Sequence, residues 1–196
     1  MEDNDFNKKE DKELVADYLA GLDEVLPLII NRHIKNLYRF VFGLVGNDSA
    51  AEDITQDVFV KVWKNLKKYD DKYSFKTWLF SIARNTVIDY FRKKKDVAFS
   101  RFDNEEGENF IMDTLSDDQP LAHETFAKME DAAFFNALLK ELPPLYWEIL
   151  VLRYTEDLSI EEISQVLKRP AETVKSQHRR GIMHLKKLLL RRNKQV

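Results

Sequence analysis

The chain has no cysteine and only five glycines and five prolines in 196 residues, and each scarcity removes a class of protein. Without thiols there is neither a disulfide framework nor a thiolate metal centre. So few turn-forming residues argue against a sheet of tight hairpins, and abundant Leu, Lys, Glu and Ala argue for helices throughout. No apolar run approaches about 18 residues, and the N-terminal stretch MEDNDFNKKEDKE is charged, so no signal peptide or membrane insertion is expected and the expected compartment is the cytoplasm. The four histidines are scattered, and His178 and His184, six apart, do not share a helical face. No Ser, Thr or Asp nucleophile stands out, so no enzyme, metal site or cofactor is expected.

The small net charge of -3 conceals blocks of alternating sign. Residues 61–95 carry eleven basic and three acidic residues, residues 96–131 two and eleven, and residues 153–196 eleven and five. Local cationic faces set phosphate affinity, so the acidic bulk composition does not exclude nucleic acid. The acidic block lacks helical periodicity and contains Gly107, Pro120 and several Asp and Asn residues, which makes residues 96–124 an expected linker. Two helical domains follow, from about Asp17 to Lys95 and from about Thr125 to Arg192, behind a charged tail of residues 1–16.

Near the C-terminus, DLSIEEISQVLKRPAETVKSQHRRGIMHLKKLLLRR has the pattern of a helix-turn-helix. Ser159 and Glu162 form a capping box, so a short helix begins there and buries Ile160, Ile163 and Leu167. Pro170 ends it and suits the start of a second helix. That second helix places Val174, Ile182, Leu185 and Leu189 on one stripe, with Lys175, Ser176, Arg179, Arg180 and Lys187 largely opposite. A cationic helix of this kind fits a DNA major groove; the plainer alternative is a solvated basic face.

In the first domain, Gly46-Asn47 ends a helix, and Ser49 with Glu52 reads as a second capping box. The helix it opens buries Ala51, Ile54, Val58 and Val62 and turns Asp53, Gln56, Asp57 and Val60 outward, with Trp63 at the margin. A mixed acidic and apolar face suits a partner offering arginines beside apolar surface. A third helix, Ser74 to Lys95, packs Phe75, Leu79, Ile82, Ala83 and Tyr90 and presents Thr77, Ser81, Arg84, Asn85 and Arg92 on its other side. Interleaved with Tyr69, Tyr73 and Trp78, those groups suit unstacked bases on aromatic planes with cations along the backbone, although such aromatics are also ordinary core residues.

Three segments taken in order, AAEDITQDVFVKVW, FKTWLFSIARNTVIDYFRKKK and ELPPLYWEILVLRYTEDLSIEEISQVLKRPAETVKSQHRRG, resemble the sigma-70 family of bacterial transcription initiation factors, in its compact extracytoplasmic-function (ECF) group. The resemblance implies an all-α protein with a sigma region 2 bundle and a sigma region 4 helix-turn-helix. It implies that Asp53, Gln56, Asp57, Phe59, Val60 and Trp63 dock on the beta-prime clamp helices of core RNA polymerase, with the second domain at the beta flap. Tyr69, Tyr73, Ser74, Trp78, Arg84, Asn85, Asp89, Arg92 and Lys93 then correspond to the surface that melts and reads the minus-10 element. Thr173, Lys175, Ser176, Arg179 and Arg180 correspond to the minus-35 reader. The acidic linker would thread toward the RNA exit channel, and an anti-sigma factor is an expected antagonist. The runner-up is a two-domain helix-turn-helix regulator that acts without polymerase.

The sequence departs from the family pattern at three positions. Lys168 stands where a turn glycine is common, Gln177 where arginine is common, and Ser164 where alanine is common. Lys168 is expected to avoid a strongly left-handed backbone or to bear a modest strain. Gln177 is expected to alter base readout, and Ser164 to leave room for close helix contact.

Overall fold

The computed structural model describes residues 8–93 and 138–193. Within them run seven α-helices: α1 (Asp11–Leu19), α2 (Leu26–Val45), α3 (Asp48–Asn65), α4 (Phe75–Lys93), α5 (Pro144–Tyr154), α6 (Ile160–Leu167) and α7 (Ala171–Asn193). No strand occurs among the described residues. The expected linker at 96–124, and the expected start of the second domain at Thr125, lie outside them.

Helices α1 to α4 form the first group. The apolar stripes of α2, α3 and α4 converge on a core in which Phe40 and Phe80 meet edge to face, with ring centroids 5.0 Å apart. Both rings are essentially inaccessible, and burial of each contributes about 1.5–3 kcal/mol. On α3 the buried stripe is the expected one, Ala51, Ile54, Val58 and Val62. Its start differs from expectation. Asn47 rather than Ser49 is the N-cap, its Oδ1 accepting the Ala50 N–H at 2.9 Å. Gly46 immediately before it holds φ at 68°, which closes α2 through its N–H to the Phe42 carbonyl. With the left-handed glycine and the capping asparagine adjacent, no residues are left for the later start.

Residues 1–16 do not form a charged tail throughout. From Asp11 the chain is helical, and α1 buries Leu14 and Val15 against the bundle. Its charges serve as clamps: Asp11 accepts from Arg32 Nη1 at 2.7 Å and pairs with His33 Nε2 at 2.7 Å, while Arg32 also donates to the Lys9 carbonyl. At the far end, Trp63 Nε1 donates to the Tyr18 hydroxyl. The short apolar pair was hidden by the charges around it.

Helices α5, α6 and α7 form the second group. The expected capping box opens α6, where the Glu162 N–H meets Ser159 Oγ at 3.1 Å and the Ser159 N–H meets Glu162 Oε2 at 2.9 Å. At its end Lys168 does adopt the left-handed conformation, φ 54° and ψ 45°, so the strain is borne. The compensating bonds run from the Lys168 N–H to the Gln165 carbonyl and from the Arg169 N–H to the Ser164 carbonyl, which satisfies the end of the helix. Pro170 sits just before α7 and accepts from the Val174 N–H at 3.1 Å.

Helix α5 is buried on nearly every side, from Leu145 and Trp147 through Leu152. A helix apolar all round lies between two layers. One layer is α7, against which α5 crosses closely at Gly181, where an added Cβ would come within 3.3 Å of Tyr146 Cβ. The other is the first group itself, so the two helical units share a boundary.

Candidate functional site

Three faces carry the candidate residues. On α3, Asp53, Gln56 and Asp57 are exposed along one side, and Val60 and Trp63 continue it at 43% and 56% exposure. Large apolar side chains this open beside carboxylates form the mixed surface that the helical spacing requires. Phe59 differs, since it is partly buried and packs on the core, so only its edge belongs to the face.

On α7, Lys175, Arg179, Arg180 and Lys187 are exposed while Val174, Ile182 and Leu185 are buried. Thr173 and Ser176 are half-buried at the margin of the cationic face. Two ring contacts tie this helix to α5: Tyr146 with His184 at 5.1 Å, and Tyr154 with His178 at 5.7 Å. The His178 Nε2 also lies 3.0 Å from the Tyr154 hydroxyl. Burial, with the Arg153 charge nearby, pushes His178 down to about 4, so it adds no charge to the cationic face at neutral pH. Gln177 is 1% exposed. It points into the domain, because its register on α7 is that of the apolar stripe.

The third face is α4 with the loop before it. Tyr69, Phe75 and Trp78 form an aromatic cluster, with Tyr69 to Trp78 at 5.4 Å and Tyr69 edge-on to Phe75 at 5.6 Å. The Tyr69 hydroxyl donates to the Tyr73 carbonyl, which fixes the loop, and Lys72 Nζ lies 5.7 Å from the Tyr73 ring centroid. Tyr73, Trp78 and Asn85 are half-buried, while Asp89, Arg92 and Lys93 are exposed at the far end, where Asp89 and Arg92 pair at 3.7 Å.

Arg84 and Thr77 depart from expectation. They are 7% and 2% exposed, because the second helical group packs across them. Arg84 Nε donates to Glu148 Oε1 at 2.8 Å, and Ser74 Oγ and Thr77 Oγ1 both donate to Glu162 Oε1. Lys76 donates to the Glu156 carbonyl, and Asn36 reaches Glu156 Oε2. Burial pushes the Glu148 and Glu156 carboxyls up, against the pull of Arg84 on the first and Lys76 on the second. For Glu162, burial also acts upward, but the donors at Ser74, Ser159 and Thr77 outweigh it and hold the group below its usual range.

Sequence reasoning missed the contacts of these three glutamates with α4 and the residues leading into it, although it identified Glu162 as a cap of α6. Glu148 left one signal, as a lone carboxylate inside PLYWEILVLRY. Such a residue needs a buried partner, but nothing local says which one.

No cluster of three metal-ligating side chains occurs among the described residues, and none of their helices is long and apolar enough to cross a membrane. The sigma-70 region 2 family model matches residues 29–97, and the sigma-70 region 4 model matches residues 138–187. The ECF RNA polymerase sigma factor SigW of Bacillus subtilis is 30% identical over 179 residues, 91% of this chain and 96% of the relative. SigM of the same organism, also an ECF sigma factor, is 32% identical over 85% of this chain and 94% of its own length. Among solved structures, CnrH in complex with the cytosolic domain of CnrY matches with a TM-score of 0.61 and 22% identity over 91% of this chain and 96% of that one. RpoE in complex with the anti-sigma factor NepR, from Bartonella quintana, matches at 0.58 and 23% over 82% and 93%. These two carry the likeness of fold. With both region models matched in order and full-length relatives at this identity, the chain belongs to the ECF group of the sigma-70 family, a non-enzymatic transcription initiation factor that acts with RNA polymerase.

Proposed function

We propose that the three faces divide the work of initiation. Asp53, Gln56, Asp57, Val60 and Trp63, with the edge of Phe59, dock on the beta-prime clamp helices. Lys175, Ser176, Arg179 and Arg180, with Thr173 at the margin, contact the minus-35 duplex, and the second domain meets the beta flap. The loop and helix with Tyr69, Tyr73, Ser74, Trp78, Arg84, Asn85 and Asp89 capture minus-10 bases during melting, while Arg92 and Lys93 hold backbone phosphate. Region 2 function is assigned to residues 17–95 together with α1, and region 4 function to 125–192. The acidic segment 96–124 runs toward the RNA exit channel. The protein works in the cytoplasm, and an anti-sigma factor covers the same faces when it is held inactive; the solved RpoE, captured with the anti-sigma factor NepR, supports that reading.

The observation that carries this division is the exposed α3 face. A duplex-binding regulator would keep the basic face of α7 but would have no use for carboxylates beside an open Trp63. The test is capture of core polymerase by the wild-type chain and by Asp53→Arg with Asp57→Arg, followed by run-off transcription on a genomic promoter library. Wild-type capture and promoter-specific transcripts that both vanish in the variant are expected. Promoter binding with no polymerase captured by either protein would favour the regulator.

A further inference from the structure

Trp63 lies in the last turn of α3, next to the buried Val62 but itself open to solvent. A tryptophan this exposed has little packing to choose its rotamer. In a helix χ1 near +60° is disfavoured, and the indole can turn either edge at each remaining χ1, which leaves about four arrangements. The Trp63 Nε1–H donates to the hydroxyl of Tyr18, 45 residues earlier in the chain, and that bond selects one of them. We infer that Tyr18 is a positioning residue for polymerase docking: it holds the Trp63 indole in the orientation that meets the clamp helices, so the face is set before the partner arrives. The inference rests on the docking role proposed for α3.

Tyr18 can act in this way because its own helix is fixed. Its ring packs on the core while its hydroxyl reaches the surface. Helix α1 is anchored by the buried Leu14 and Val15, by Asp11 on Arg32 and His33, and by the Lys9–Asp17 pair at 2.7 Å, one residue before Tyr18. The bond itself is exposed, and a surface hydrogen bond exchanges readily with water, so it adds little to the stability of the fold. Its effect is on freedom. An open aromatic side chain that a partner would otherwise have to immobilise is already held, and the entropy cost of ordering it on binding is removed.

The same bond decides what Trp63 offers. An indole has one donor and no acceptor, and that donor is spent on Tyr18. The docking face therefore presents the plane of the ring beside the exposed Asp53 and Asp57, not a hydrogen-bonding edge.

The test is the affinity of the full-length chain for core RNA polymerase, measured for wild type, Tyr18→Phe, Trp63→Phe, the two together, and Trp63→Ala. Tyr18→Phe keeps the packed ring and loses only the acceptor. With about one arrangement in four competent, its Kd should rise about fourfold. Trp63→Phe has no N–H to hold, so adding Tyr18→Phe to it should change the affinity no further. In the free proteins, the Trp63 indole signal in nitrogen-15 NMR, identified by its loss in Trp63→Phe, should have the heteronuclear Overhauser effect of a rigid group in wild type and a reduced one in Tyr18→Phe. An indole equally rigid in both would overturn the inference. So would a Tyr18→Phe loss that persists undiminished in the Trp63→Phe background, since it would then come from the fold or from another contact. A loosened indole with unchanged affinity, while Trp63→Ala still weakens capture, would leave the docking role in place and remove the positioning. Wild-type affinity in Trp63→Ala would instead take Trp63 off the docking face, and the inference with it.

Discussion

Deleting the Arg84 side chain tests the boundary between the two helical groups at its most expensive point. Glu148 is completely buried, and Arg84 Nε donates to it at 2.8 Å. Arg84→Ala leaves that carboxylate inside an apolar helix without its partner, a change that typically costs about 3–5 kcal/mol. Separation of the two helical groups sets a lower ceiling, because it returns Glu148 to water and limits the loss to the free energy of their docking. Glu148→Gln in the Arg84→Ala background should recover much of the loss, since a neutral amide is far easier to bury than a charge. The coupling energy of the four-protein cycle should therefore exceed about 1 kcal/mol, within the range for directly bonded residues.

The pH dependence follows from the same geometry. Burial raises the Glu148 carboxyl, and Arg84 and Arg169 are the charges that pull it down. Without Arg84 it rises further. A carboxyl raised where the two helical groups are docked penalises docking above its raised pKa and not below its undocked value, so the Arg84→Ala defect fades on acidification. Referring each pH point to Arg84→Ala with Glu148→Gln cancels Glu156 and the remaining carboxylates. Urea titrations read by tryptophan fluorescence supply the energies. A coupling energy below about 0.5 kcal/mol, or a defect equal at acid and neutral pH, would refute the argument.

Four further outcomes are expected. Asp53→Arg with Asp57→Arg should abolish polymerase capture while changing stability by no more than about 0.5 kcal/mol per site, because both side chains are exposed; a shifted melting curve would mean that the loss is structural. Lys168→Gly should stabilise the protein by about 1 kcal/mol by relieving the left-handed backbone at φ 54°, and a lower Tm would show that the Lys168 side chain compensates. Arg179→Ala or Arg180→Ala should relax preference at one minus-35 position at a cost of about 1–3 kcal/mol if that arginine reads a base, or weaken all sequences alike if it holds phosphate; randomised minus-35 selections with both variants unchanged would remove α7 as the reader. An NMR titration of His178 should give a midpoint near 4 rather than near the usual 6.5, and a normal midpoint would mean that its ring is solvated.

Much of this protein was legible along the chain because its signals are local. Ser159 and Glu162 are three residues apart and cap α6 as their spacing requires. The 3.6-residue period of Ile54, Val58 and Val62 chose the buried side of α3, and thereby turned Asp53, Gln56 and Asp57 outward. The same period separated Val174 and Leu185 from Lys175 and Arg179 on α7. Where two local signals competed, at Asn47 and Ser49, the adjacent left-handed Gly46 decided between them.

Periodicity reports which side of a helix is apolar, but it does not say what covers the polar side. The exposure expected of Thr77 and Arg84 is absent for that reason: both lie on the polar face of α4, and both are buried by a partner between 64 and 85 residues away in the chain. Gln177 misled in the converse way, as a polar residue in the apolar register of α7. The sequence alone determined the all-helical class, the capping of α6, the apolar stripes of α3 and α7, and the family. Only the tertiary structure decided that Glu148, Glu156 and Glu162 lie on α4, because that juxtaposition depends on how two helical groups dock, a long-range choice that no local spacing encodes.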